Sequence, residues 1–282
     1  MKAINDLKYI LRHTDRLSND VIEEVFATEQ KVLEFEDKAI ICLFEDMLGK
    51  INSLLILIEN NHYFSLQSIT RSIFENFIYL SYILKEDTRI RGRSFALSAR
   101  TDENKLYSLL TERGKVGRKV RSFIGMNESD IAATFDESKI NFDIRLSVFS
   151  DVLMLRKEKS KWYDLNQNKS ITNIEQLCNE LNLEGEYNLV YRMFSREVHS
   201  SDVMSLFDIQ EIEDLNLKEE KNDGSAPAYV HIKKQKIEDS LLPVLVSTRS
   251  LVEATKTIYS YYELNSKKVL FETNVRLKYR MK

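Results

Sequence analysis

The stretch HYFSLQSITRSIFENFIYLSYILK, residues 62–85, decides how the rest of the chain is read. At about 100° per residue, Leu66, Ile69, Ile73, Phe77, Leu80 and Leu84 line one stripe of a helix, and Arg71 and Glu75 fall nearly opposite. That opposite side also carries Phe64, Ile78, Tyr79 and Tyr82. A helix apolar around most of its circumference has neighbours on every side, so this one is expected at the centre of a bundle. Arg71 and Glu75 are then expected to be enclosed. Stranding one member of an enclosed pair costs on the order of 3 to 5 kcal/mol, so the two must satisfy each other. A structural clamp and a place in a functional cleft both remain open for them.

Outward from this helix the chain keeps the same character. Two prolines and seven glycines in 282 residues leave helices few interruptions, and the fold class expected is all-α, a multi-helix bundle. The pattern from Ser18 to Glu59 is amphipathic, with a break near Glu36 or Gly49, and further helices are expected over about 88–113, 128–159, 172–181, 186–204 and 236–265. GKVGRKVRSFIGMNES, residues 114–129, sets glycines among cations and reads as a loop. The segment after 208 runs from acidic through the Asp223-Gly224 turn signal to basic. Alternation in Tyr229-Val-His-Ile232 allows a short β-hairpin near 225–235. The division expected is an N-terminal helical extension (1–60), a core helical domain (61–208), a connecting segment (209–235), and a C-terminal helix with a basic tail (236–282).

A formal net charge of −3 gives no overall attraction to polyanions, so such a partner has to be met by a local patch. The cations Arg113, Lys115, Arg118, Lys119 and Arg121, with Phe123 beside them, are that patch and form the candidate RNA-binding segment. Cys42 and Cys178 lie in apolar helical surroundings and read as buried thiols. No apolar run reaches the roughly 18 residues of a spanning helix and no secretory signal opens the chain. A cytoplasmic location with no membrane partner is expected.

The second informative stretch is EYNLVYRMFSREVHSSD, residues 186–202, where Tyr187, Tyr191, Ser195 and His199 recur at a spacing of four. On an α-helix Tyr187, Val190, Tyr191, Phe194 and Val198 group toward the core, with Asn188, Arg192, Ser195 and His199 along their border. That border is the candidate site, and Arg71, Glu75, Asn188, Tyr187, Tyr191 and Ser195 are its expected cleft residues.

Arg71-x3-Glu75, Trp162 and the Tyr187-x3-Tyr191-x3-Ser195-x3-His199 array together resemble a family of bacterial helical proteins known only as a domain of unknown function. The resemblance covers roughly 60–208 and implies a helical fold with a shared cleft, but no reaction. A weaker similarity is to the HEPN superfamily, whose ribonucleases carry Arg-x4-6-His and usually act as dimers. Arg192-x6-His199 meets that spacing, whereas Met193 stands where those proteins often have a polar residue. The similarity implies metal-independent RNA cleavage by a toxin or phage-defence effector.

Such a reaction needs a proton acceptor, a proton donor and a cation for the phosphorane-like charge, and His199 and Arg192 are the expected catalytic pair. Seven residues of continuous α-helix separate their Cα atoms by about 10.5 Å, so a homodimer joining two such stripes is expected to complete the site. A serine hydrolase lacks its G-x-S-x-G turn here. No zinc, di-iron or phosphate-loop motif occurs, so neither a metal nor a cofactor is expected, and there is no DNA-specific motif. The other function class is a non-catalytic helical module that recognises a protein or small ligand through Arg71, Glu75, Tyr191 and His199.

Overall fold

The computed structural model describes residues 2–127, 129, 131, 146–155, 161–165, 171–194, 207–211, 228–232 and 236–279. It opens with α1 (Lys2–Thr14) and α2 (Leu17–Val21), which runs into a π-helical turn at Ile22–Ala27. The expected break in the first long pattern lies just before Phe35. There the Glu34 backbone N–H donates to Asp37 Oδ2 at 3.1 Å, an N-terminal cap that starts α3 (Phe35–Glu59). Past Gly49 the helix continues unbroken, because one glycine inside a strongly apolar helix costs only about 1 kcal/mol.

Residues 66–85 form α4 (Leu66–Lys85), which packs against α3, the helix α10 (Leu241–Tyr261) and α5 (Thr88–Thr111). Buried residues on α4 include Leu66, Thr70, Ile73, Phe74, Asn76, Ile78, Tyr82 and Ile83, so it is covered on several sides, as its all-round apolarity requires. Asn76 is tolerated inside because its Nδ2 donates to Leu43 O at 3.2 Å and Asp46 Oδ2 at 2.7 Å, while Lys50 donates to its Oδ1 at 3.1 Å. α10 carries α11 (Asn265–Tyr279) behind it, and α1 packs on both. One continuous core runs from Ile4 and Leu7 through Met47 and Ile73 to Val244 and Val275. The two terminal helical regions are thus built into the same core as the centre of the chain.

The stretch expected as a loop is instead α6 (Lys115–Ile124). Its glycines punctuate a helix. Gly125 closes it in the left-handed region at φ 67°, and Gly117 sits so near the end of α5 that a Cβ there would meet the Glu112 carbonyl oxygen at 2.0 Å. Arg121 is buried beside it and donates from Nη1 to Leu110 O at 2.6 Å and Glu112 O at 2.9 Å, capping carbonyls left open where α5 ends. From α5, Arg93 reaches Asp151 at 3.1 Å on α7 (Ser150–Leu155), and Leu97 packs with Phe149 and Val152 in a small second cluster.

α8 (Ile174–Glu180) starts at Asn173, whose side chain accepts from the Gln176 backbone N–H at 2.9 Å. A short turn, α9 (Glu184–Glu186), then runs into a second π turn at Tyr187–Arg192. The hairpin pairs β1 (Phe207–Glu211) with β2 (Ala228–Ile232), antiparallel, with Phe207 opposite Ile232 and Glu211 opposite Ala228. Its second strand falls where the alternation lies. The first comes from upstream of 225–235, because a strand's partner is chosen across a connection that local alternation does not describe.

Cys178 is buried and Cys42 exposed, both as free thiols. The expectation of two buried thiols fails at Cys42 because the core face of α3 is taken by Ile40, Leu43, Phe44 and Met47. No helix among the described residues is long and apolar enough to cross a membrane.

Candidate functional site

Arg71, Glu75 and Tyr79 occupy successive turns of α4, and the Tyr187–Arg192 π turn packs against that helix. An array spaced by four on an α-helix keeps one face. Where the backbone bonds i to i+5, the turn is wider and each residue rotates the chain less, so the expected α-helical positions do not hold. Here the Tyr187 and Tyr191 rings lie stacked, with centroids 5.3 Å apart and planes 17° from parallel. The Arg71 guanidinium sits over the Tyr191 ring, 4.0 Å from its centroid. Arg71 Nε donates to Glu75 Oε1 at 3.2 Å, while Arg71 Nη1 is buried without a hydrogen-bond partner among the described residues.

Behind this pair stands an aromatic wall that the sequence reading did not assemble. Tyr79 meets Trp162 edge to face at 5.3 Å and Tyr163 at 6.4 Å, and Tyr82 meets Trp162 at 5.8 Å. The 161–165 segment is pinned across α4 and α5, since Tyr82 Oη donates to Tyr163 O at 3.0 Å and Ser94 Oγ to Trp162 O at 2.5 Å. A signal for Tyr79 was present, because it extends the Arg71, Glu75 spacing by a further four residues. Tyr163 adjoins the chain's single tryptophan but had no spacing to announce it.

The enclosure changes the chemistry of these groups. Burial raises the Glu75 carboxyl above its ordinary range, and the positive charge and hydrogen bond of Arg71 oppose this without cancelling it. Burial, and then the Glu75 charge, raise Tyr79, while burial with Tyr191 and Glu75 pushes Tyr163 up to about 12. Tyr191 is raised by burial and by Glu75, with the charge of Arg71 and a hydrogen bond from it opposing. The cluster therefore offers neutral phenols, a carboxyl shifted above its ordinary range, and one guanidinium with an N–H to give. A raised carboxyl beside a fixed cation is an arrangement suited to proton transfer at an oxyanion. Nearby Cys178 is pushed up to about 12, by burial first and then by Glu186, Glu184 and Glu175, which keeps it a thiol and unsuited to nucleophilic work.

Other expected site residues are placed differently. Arg192 is exposed and paired with Glu175 at 2.8 Å, with its guanidinium 5.6 Å from the Tyr187 ring centroid. Asn188 is exposed and donates to Glu184 O at 2.9 Å within its own turn, so it does not line the cleft as expected; the π winding turns it outward. Ser195 and His199 lie outside the described residues. Of the candidate RNA-binding cations, Arg113, Lys115, Arg118 and Lys119 are exposed, while the buried Arg121 is committed to the end of α5. Among the described residues no group of His, Cys, Asp and Glu is arranged to hold a metal ion.

Comparison with known proteins gives one match. A family model described as a family of unknown function (DUF5677) matches residues 37–215. No curated protein and no solved structure matches the chain.

Proposed function

From the premise that the chain belongs to the DUF5677 family, whose function is unknown, we propose that the Arg71 cleft is a phosphate-binding site used for metal-independent cleavage of RNA. The observation that supports this reading is the buried Arg71 Nη1, which has no hydrogen-bond partner among the described residues. A buried guanidinium N–H without an acceptor costs free energy, and a ligand oxygen seated there would remove that cost. The natural ligand for such a group, backed by a tyrosine face and a carboxyl, is an oxyanion that a planar cation can hold.

In this reading Arg71, rather than the Glu175-paired Arg192, neutralises the non-bridging phosphate oxygens as charge grows on them. His199 belongs to the array that begins at Tyr187 and Tyr191 and supplies the proton transfer. The RNA 2′-hydroxyl gives up its proton and attacks phosphorus, the bond to the 5′-oxygen breaks, and that oxygen takes a proton as it leaves. Glu75, with its raised carboxyl, is the second proton-handling group. The setting proposed is a cytoplasmic toxin or phage-defence effector acting as a homodimer, the setting expected of the HEPN likeness, with Arg71 taking the cation's part that the motif gives to Arg192.

The test is incubation of purified protein with single-stranded RNA in EDTA. Cleavage is expected, with His199→Ala and Arg71→Ala each reducing the rate by roughly 100-fold or more and His199→Ala keeping its helical circular dichroism and melting temperature. Cleavage that needs a divalent metal, or that survives His199→Ala, overturns it. A second reading, a non-catalytic binding module, is favoured by the commitment of Arg192 to Glu175. Saturable RNA or phosphate-ligand binding that depends on Arg71 but gives no product would establish it.

A further inference from the structure

α6 turns an apolar and basic face away from the body of the protein. Gly117 and Arg121 point to the end of α5 and fix which side faces inward. At about 100° per residue, Lys119 lies nearly opposite them. On one side of Lys119 come Phe123 and Val116, and on the other Lys115, Ser122 and Arg118. Phe123 is 91% exposed, Val116 54% and Ile124 42%, with Met126 at 49% just beyond the helix. A phenylalanine this bare is anomalous in a chain that buries Phe44, Phe74, Phe149 and Phe194. The helix carries Lys115, Arg118, Lys119 and Arg121 and no acidic residue.

We infer that α6 docks on an anionic lipid bilayer surface, lying in the headgroup region with Phe123 and Val116 toward the acyl chains and Lys115, Arg118 and Lys119 on the lipid phosphates. Both halves of the face then find a partner, as in amphipathic helices that lie in the interface plane without spanning it. A second copy of α6 is disfavoured by charge, since its cations would meet like cations. Nucleic acid would use the cations and stack on Phe123, but it leaves the apolar Val116 and the neighbouring Met126 with nothing to pack on. The overall charge of −3 confines the attraction to this patch. The inference is independent of RNA cleavage at the Arg71 cleft.

The experiment is flotation of the full chain with phosphatidylcholine vesicles, with and without phosphatidylserine. Binding is expected only to the phosphatidylserine vesicles and to fall as salt is raised. Phe123→Ser, at an exposed position where folding is not at stake, is expected to weaken it about tenfold, and Lys115→Glu with Lys119→Glu to abolish it. No vesicle binding, equal binding to neutral vesicles, or binding unchanged in these variants overturns the inference. An RNA gel shift lost in the same variants without vesicle binding assigns the face to nucleic acid. Concentration-dependent association lost in Phe123→Ser assigns it to a second copy.

Discussion

Arg71 is the residue at which stability and the proposed function meet. Its side chain is 14% exposed and that of Glu75 28%, so removing either leaves a charge short of both water and partner. Arg71→Ala is expected to destabilise the fold by on the order of 2 kcal/mol, and Arg71→Met combined with Glu75→Leu by less than the two single losses summed. Urea unfolding read by Trp162 fluorescence supplies the cycle. Strict additivity would mean that the pair does not interact and that its geometry is incidental. The sequence placed Arg71 and Glu75 one turn apart on a central helix. What it left open was the third partner, since a guanidinium over the Tyr191 ring depends on how two helices meet.

At the scale of elements, the π turn at Tyr187–Arg192 carries the site. An extra residue per hydrogen-bonded ring costs backbone geometry, and such turns persist where surrounding contacts hold them. Deleting Leu189, which is 46% exposed, should let the segment relax to α-helix, so that three α steps replace four smaller π steps and Tyr191 turns, by well under the ~100° of one α step, relative to the residues before it. The expected outcome is unchanged helicity with loss of ligand binding or cleavage at the Arg71 cleft. Retained function in the deletion variant would show that the π turn is not what positions Tyr191. α6 teaches the reverse lesson. Its residues form an ordinary amphipathic helix, yet its glycines suggested a loop, because only the approach of the Glu112 carbonyl shows why one of them lies inside.

For the whole molecule, carboxylates that tie elements together set the response to acid. Asp151 is affected first by burial, which raises it. The hydrogen bond and charge of Arg93, with backbone N–H groups, overcome this and leave it lowered. Asp46 is likewise lowered, by Lys50 and Asn76 against burial. A carboxylate held below its unfolded value contributes stability in full above that unfolded value and loses it as pH falls through the lowered one. Melting temperature should therefore drop as pH falls below the ordinary carboxylate range. Asp151→Asn should be less stable than the parent at neutral pH, with the two curves converging in acid. Parallel curves across the whole range would remove Asp151 from this role.

The sequence by itself determined that the chain is a helical bundle, that residues 66–85 lie at its centre, and that Arg71 and Glu75 sit one turn apart on the polar side of that helix. These follow from periodicity and from the scarcity of breakers, which act over a few turns of one segment. The tertiary structure alone decided that Tyr79, Trp162 and Tyr163 wall that face, that Arg192 and Asn188 turn away, that Arg93 is buried against Asp151 while Phe123 is bare, and which strand pairs with Ala228–Ile232. Most of these depend on how segments distant in the chain meet. A side chain's charge state, partner and exposure depend on what packs against it, and the repeat of its own helix carries no record of that.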